Sequence, residues 1–186
     1  MKATLLTLFL LLSPPSWSAA DFIQCYDFGC KSRVEVNFSK TQWASIEQLF
    51  RQTQHDNVSE KQAIRQAVAM MEQYSGELTG TSLDKGGNYP GYEITGQMDC
   101  IDESTNTFQY LTALEARKLL TSHRTRPKKR RIVWLFTHWT AVIEDISTQK
   151  MYAVDSWYLD NGEPPYIQPL EDWQKKRPFS KEYNLD

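Results

Sequence analysis

Long apolar runs are scarce in this chain. After Leu5–Leu12 no stretch approaches the ~20 apolar residues that a bilayer-spanning helix needs, which argues against a transmembrane anchor. Charge of one sign is also lacking, since 21 Lys and Arg stand against 23 Asp and Glu for a formal net charge of −2, so nothing in the overall balance points to nucleic acid. No internal repeat is evident. Cysteine is limited to three residues, an odd number, so at least one thiol cannot pair within the chain.

What is present begins with a segment that reads as a secretory signal. Lys2, the apolar run Leu5–Leu12 and the small residues Ser18-Ala19-Ala20 supply its charge, core and exit. Residues 1–20 are therefore expected to be a leader and residues 21–186 a single exported domain. No cysteine follows this segment at the distance a lipid-anchored precursor needs, the first being Cys25, so free periplasm or secretion is expected over membrane attachment. A domain of this length buries a core without depending on disulfides. In an oxidising compartment Cys25 and Cys30, close together in "CYDFGC", are expected to pair, because a short loop costs less closure entropy. A bridge from either of them to Cys100 is the alternative.

Periodicity gives the elements. "RVEVNF" alternates as a half-buried strand ending at Ser39, and "SKTQWASIEQLFRQ" and the segment from "SEKQ" to Gly76 read as amphipathic helices capped by serines. Residues 76–98 hold Gly76, Gly80, Gly86, Gly87, Gly91 and Gly96, a turn-rich stretch able to shape a cleft. A third helix is expected to open at Asp99 or Cys100 and to run past Leu114 and Leu119. "HRTRPKKRR" reads as a solvated basic loop leading into strands "RIVWLF", "HWTAVIED" and "KMYAVDSW", with "LEDWQKK" as a short helix. The order predicts an α+β fold, with N-terminal helices and a Cys-bearing helix packed on an antiparallel sheet.

One constellation carries chemistry. Cys100 at a helix start faces free backbone N–H groups and the positive end of the macrodipole, both of which favour thiolate. His138 in "HWTAVI" can hold the proton, and Asp155 in "YAVDSW" can fix the imidazole, the order and roles of a Cys-His-Asp triad. A hairpin centred between Ile146 and Ser147 sets His138 directly opposite Asp155. Centring it between Thr148 and Gln149 leaves Asp155 four residues, ~13 Å, from that mark. Asp99, Asp102 and Glu103 oppose a neighbouring thiolate, and a bound Ca²⁺ would reconcile them, whereas solvated first-turn acids are the plainer reading. His55 and His123 lie on polar stretches without matching partners. Trp139, Trp157, Tyr158 and Trp173 can either line a groove or pack in the core.

"DCIDES", "HWTAVI" and "YAVDSW" resemble the three catalytic blocks of the transglutaminase-like branch of the papain-like superfamily, nearest to the periplasmic bacterial transglutaminase-like cysteine proteinases, over about residues 97–158. The resemblance implies Cys100 as nucleophile, His138 as base and Asp155 as orienting carboxylate. It also implies Gln97 as a donor to the oxyanion, and calcium held by acids at Asp99 and Asp102, with Glu103 a further candidate and Ile101 standing where another acid is expected. The expected protein is an exported thiol hydrolase acting on amide or peptide bonds of a protein or peptide in the cell envelope. Hydrolysis is favoured over acyl transfer by the resemblance, and no cofactor is required beyond the optional Ca²⁺. The rival expectations are a non-catalytic binding or scaffold protein of the same fold with a vestigial triad, and a calcium-dependent regulator.

Overall fold

A computed structural model describes residues 20–53, 59–89, 94–133 and 135–180. The expected leader and His55 lie outside these residues. The fold is α+β. It opens with an unanticipated strand β1 (Phe22–Tyr26) paired antiparallel to β2 (Ser32–Val36), in register from Phe22↔Val36 to Tyr26↔Ser32. The Cys25–Cys30 disulfide closes this hairpin and leaves Cys100 as a free, buried thiol.

Helices α1 (Lys40–Gln52) and α2 (Glu60–Thr79) follow. The Ser39 hydroxyl accepts from the Gln42 N–H while the Gln42 side chain accepts from the Ser39 N–H, a reciprocal cap, and Ser59 accepts from the Gln62 N–H in the same way. Helix α2 runs beyond the expected stop at Gly76 and ends on Gly80, which sits left-handed at φ 79°. Gly76 is there for space: a Cβ would lie 2.9 Å from the Asn161 side chain and 3.0 Å from the Ser82 backbone. Helix α3 (Cys100–Ala116) starts as expected and stops short of Leu119.

The main sheet is antiparallel, in order β3 (His123–Val133), β4 (Phe136–Asp145), β5 (Met151–Asp155) and β6 (Tyr166–Pro169), and short α4 (Leu170–Gln174) follows it. The basic run expected as a loop is therefore the edge strand β3. An edge tolerates Pro127, which falls where the register slips between Arg126 and Lys129, and Arg124 and Arg126 both pair with the buried Glu144. Ala141, Ile143, Val154 and Ile167 face the helical core with Ile64, Leu111 and Leu114, while Val142 and Ala153 pack against Leu170 and Trp173 on the other face. No helix among the described residues is long and apolar enough to cross a membrane.

Candidate active site

Helix α3 is anchored by its own polar residues. Asp99 is its N-cap, accepting from the N–H groups of Ile101 and Asp102 at 2.9 and 3.1 Å. Asp102 reaches the disulfide turn, where Asp27, Phe28, Gly29 and Cys30 all take positive φ between 57° and 69°. A turn can direct successive backbone N–H groups into a concave nest. Its occupant is the Asp102 carboxylate, which accepts from Phe28 at 2.8 Å and Cys30 at 2.5 Å. One turn further, Asn106 accepts from the Cys25 N–H at 2.7 Å and donates to the Cys25 carbonyl at 2.8 Å. The disulfide hairpin thus fixes the helix that carries the thiol.

The first of the two opposed influences on Cys100 is weaker than its place in the sequence suggests. The Asp99 side chain takes two of the first-turn N–H groups, and the Asp99 carbonyl accepts from Glu103. Burial pushes the Cys100 thiol up to about 11, the Trp139 N–H opposes this, and the charges of Asp99 and Asp155 add to it. The resting site therefore holds a neutral thiol. Burial, with the charges of Asp99 and Asp155, outweighs the Trp139 and Cys100 N–H groups that favour thiolate, and the Asp99 cap occupies two further first-turn donors.

The sulfur lies against the backbone of β4, with the thiol donating to the Thr137 carbonyl at 3.6 Å and the Trp139 N–H directed back at it. Residues 137 and 139 present their backbone groups on the same side of a strand. Pairing of β4 with β5 covers only Glu144 to Ala141, so β4 runs on past its partner, and the thiol sits against this overhang.

The register also decides how the imidazole meets its carboxylate. Ala141 pairs with Val154, a turn centred between the two considered from sequence, so Asp155 is level with Thr140 and His138 lies one diagonal step away on the same face. That diagonal is close enough: His138 Nε2 lies 2.7 Å from Asp155 Oδ2. The same carboxylate oxygen accepts from Trp173 Nε1 at 2.7 Å. His138 is walled by rings, with centroids of Trp157, Tyr158 and Trp173 at 4.7, 5.3 and 5.6 Å. Its Nδ1 is buried and has no hydrogen-bond partner. Cys100 and His138 line one cavity of about 230 Å³, together with Tyr89, Ile101, Phe136 and Trp157 among others. The cavity wall from residues 86–89 is set by Gly86, where a Cβ would fall 2.5 Å from the Tyr158 carbonyl oxygen; Gly87 donates to the Trp157 carbonyl and Trp157 Nε1 donates to the Asn88 carbonyl.

The other expected site residues are used elsewhere. Gln97 donates its amide to the Leu83 carbonyl and accepts from the Lys85 N–H and the Asn88 side chain, so it braces the 83–88 loop and is not part of the cavity wall. The acids do not form a calcium site. Asp99 caps, Asp102 fills the nest, and Glu103 turns inward to Asp84 and Glu72; among the described residues no group of three or more His, Cys, Asp or Glu is arranged to hold a metal ion. Ile101, where a further acid was expected, faces the cavity. These residues do not fit Ca²⁺, whose oxygen ligands must be free to converge. His123, expected to be exposed and unpartnered, is buried with Nδ1 3.0 Å from the Glu60 carboxylate.

Beneath the site lie three buried carboxyls that the sequence reading passed over as a group. Burial raises Glu72 to about 8 and Asp84 to about 6, and it raises Glu103 strongly, helped by the charges of Glu72 and Asp84. Glu103 therefore keeps its proton and donates it to Asp84, which accepts also from the Met98 N–H at 2.7 Å. Glu103 lies at helical spacing from Thr107, Tyr110 and Leu114, all buried, and that shared face is the signal that could have marked it for the interior. Comparison with protein-family models, with curated proteins and with solved structures finds no match, and the candidate site therefore rests on its geometry.

Proposed function

We propose that the chain is an exported thiol hydrolase that cleaves amide or peptide bonds through Cys100, His138 and Asp155. The carrying observation is that Cys100 and His138 line one cavity while Asp155 holds Nε2 and leaves the buried Nδ1 without a partner. With its Nε2 proton donated to Asp155, the neutral ring keeps its lone pair on Nδ1, the atom that can accept a proton. Trp173 Nε1 donates to the same carboxylate oxygen and holds it in place.

In the reaction, Nδ1 takes the proton from Sγ as the sulfur bonds to the substrate carbonyl carbon, so the thiolate forms during attack instead of being stored. The Cys100 and Trp139 N–H groups, both directed at the sulfur, are the backbone donors we assign to the charge that passes to the carbonyl oxygen. The carbon–nitrogen bond then breaks, the imidazolium returns its proton to the leaving amine, and an acyl-cysteine remains. Water, deprotonated by the same Nδ1, releases the carboxylic acid and restores the thiol. The three-block resemblance and the disulfide both support an exported enzyme acting in an envelope, with the bacterial periplasm as its site.

Cys100→Ala is expected to lower amide hydrolysis by at least about 10³-fold without changing the melting temperature by more than a few degrees. His138→Ala is expected to slow alkylation of Cys100 by iodoacetamide at pH 7.5. Full turnover by Cys100→Ala, or alkylation indifferent to His138, defeats the reading. The competing reading, a binding protein with a vestigial triad, draws on one feature: the resting thiol donates to Thr137 and not to His138. It expects no acyl-cysteine by mass spectrometry after incubation with activated esters, where the hydrolase reading expects acylation at Cys100.

A further inference from the structure

The cavity beside Cys100 is chemically one-sided. Apart from Cys100 and His138 its walls are chiefly Ile101, Val133, Phe136, Trp139, Trp157 and Tyr158. Asn88 also lines it, but its amide nitrogen is taken by Asp84, the Lys85 carbonyl and Gln97. A charged substrate side chain would be desolvated there without a partner, while an alanine would leave the rings without contacts. The volume, about 230 Å³, is below the ~300–1,000 Å³ of pockets that enclose whole small molecules. It suits one bulky side chain.

The apolar surface continues outside. Phe136 is 55% exposed, Ile132 69% and Leu135 95%, and Ile132 and Val133 pair with Thr137 and Phe136 at the sheet end that carries the cavity. Exposed apolar residues grouped around a cleft mark a contact surface.

Strand β3 adds charge in an uneven way. In its far half Arg124 and Arg126 are neutralised by Glu144. In the half nearest the site, Lys128, Lys129 and Arg130 form no ion pair among the described residues, and Lys129 and Arg130, which pair in register with Thr140 and Trp139, are exposed. Lys128 Nζ bonds the Thr105 hydroxyl at 2.6 Å, on the first turns of the cysteine helix. Lys128 faces the charges of Asp99 and Asp102, but the exposed Lys129 and Arg130 beside the cavity, on a chain whose net charge is −2, are complementary to acidic groups. Strand β3 is also the sheet's edge, with a strand partner on one side only, the element against which an extended peptide can add.

We propose that the occupant of this surface is an extended peptide that places a bulky apolar side chain, such as Phe or Leu, in the cavity beside Cys100 and carries acidic residues along Lys129 and Arg130; the cleavage of that peptide, though not its docking, rests on the hydrolase reading. An edge strand and a cavity of one side chain favour a peptide over an anionic lipid surface.

The test uses the full chain bearing Cys100→Ala and fluorescein-labelled octapeptides in three forms: acidic flanks around Phe, acidic flanks around Ala, and basic flanks around Phe. Fluorescence anisotropy is read at low and high salt, with phosphatidylglycerol vesicles as competitor, and wild-type protein is assayed for cleavage in parallel. The Phe peptide is expected to bind at least about tenfold tighter than the Ala peptide at both salts. The acidic flanks are expected to bind at least about tenfold tighter than the basic ones at low salt, a gap that shrinks at high salt. Lys129→Glu with Arg130→Glu is expected to reverse the flank preference and keep Phe over Ala. Equal binding of all three peptides, preference for basic flanks, or displacement by vesicles overturns the proposal. Selective binding with no cleavage by wild type retires the hydrolase reading and leaves the docking intact. Cleavage without these preferences does the reverse, and neither binding nor cleavage ends both.

Discussion

Helix α2 carries two buried glutamates that ionise in opposite directions. Glu60, at its first position, and Glu72, in its C-terminal half, are 8% and 4% exposed. Burial raises both. At Glu60 it is outweighed by the His123 and Thr121 side chains and by the N–H groups of Thr121 and Ser122, which hold the carboxyl at about 2. At Glu72 the Ser156 side chain and the Gly162 N–H are too few, Asp84 adds repulsion, and the carboxyl rises to about 8. Loss of water is common to the two; the number of donors that replace it decides the charge.

The largest effect is expected where the donors are most numerous. Glu60→Ala leaves the N–H groups of Thr121, Ser122 and His123 without their acceptor at the start of β3. It is expected to destabilise the protein by about 3–5 kcal/mol, read by urea denaturation at pH 6. A loss below about 1 kcal/mol breaks the comparison, because it means water can replace the donors' partner.

The two glutamates also give stability opposite pH slopes. Glu60, with its folded value below its unfolded one, contributes stability that is complete above pH ~4.5 and is lost as pH falls through about 2. Glu72, raised in the folded state, contributes no penalty below pH ~4.5 and costs stability progressively as pH rises through about 8. Stability is therefore expected to peak near pH 5 and to fall by up to about 5 kcal/mol toward pH 9. Glu72→Gln, which stays neutral, is expected to flatten the alkaline side and leave the acid side alone. Melting curves from pH 3 to 9 check it, and an unchanged alkaline slope in the variant removes Glu72 from the account.

A smaller effect sharpens the same lesson at the thiol. Asp99→Asn keeps an N-cap acceptor but removes a charge that raises Cys100. Alkylation at pH 7.5 is expected to quicken by about two- to fivefold, roughly half a pKa unit. No change in rate would mean that burial alone holds the proton on sulfur.

Several elements were legible because their signals are local. Ser39, Ser59 and Asp99 mark helix starts through their own side chains, and the Cys25–Cys30 bridge follows from a separation of five residues. Strand β3 was misread as a loop because its charges suggest solvent, whereas Glu144, 18 and 20 residues from Arg126 and Arg124, makes them part of a sheet. Asp99, Asp102 and Glu103 are neighbours in sequence and were considered as one cluster. A helix turns each successive side chain by about 100°, so they point to a cap, a nest and an interior. Trp173, open in sequence between a groove and the core, is buried and is the second donor to Asp155, a role visible only once α4 folds back over the sheet.

The sequence by itself determined the α+β order, the helix caps, the odd thiol and the three residue types that can form a triad, because each of these depends on short-range periodicity, local closure or side-chain chemistry. Tertiary structure alone decided that Ala141 meets Val154, that His138 reaches Asp155 on a diagonal, that the thiol lies against the overhang of β4, and that three carboxyls share a buried space with too few donors. Those outcomes depend on strand register and on burial, and both are set by contacts between residues far apart in the chain.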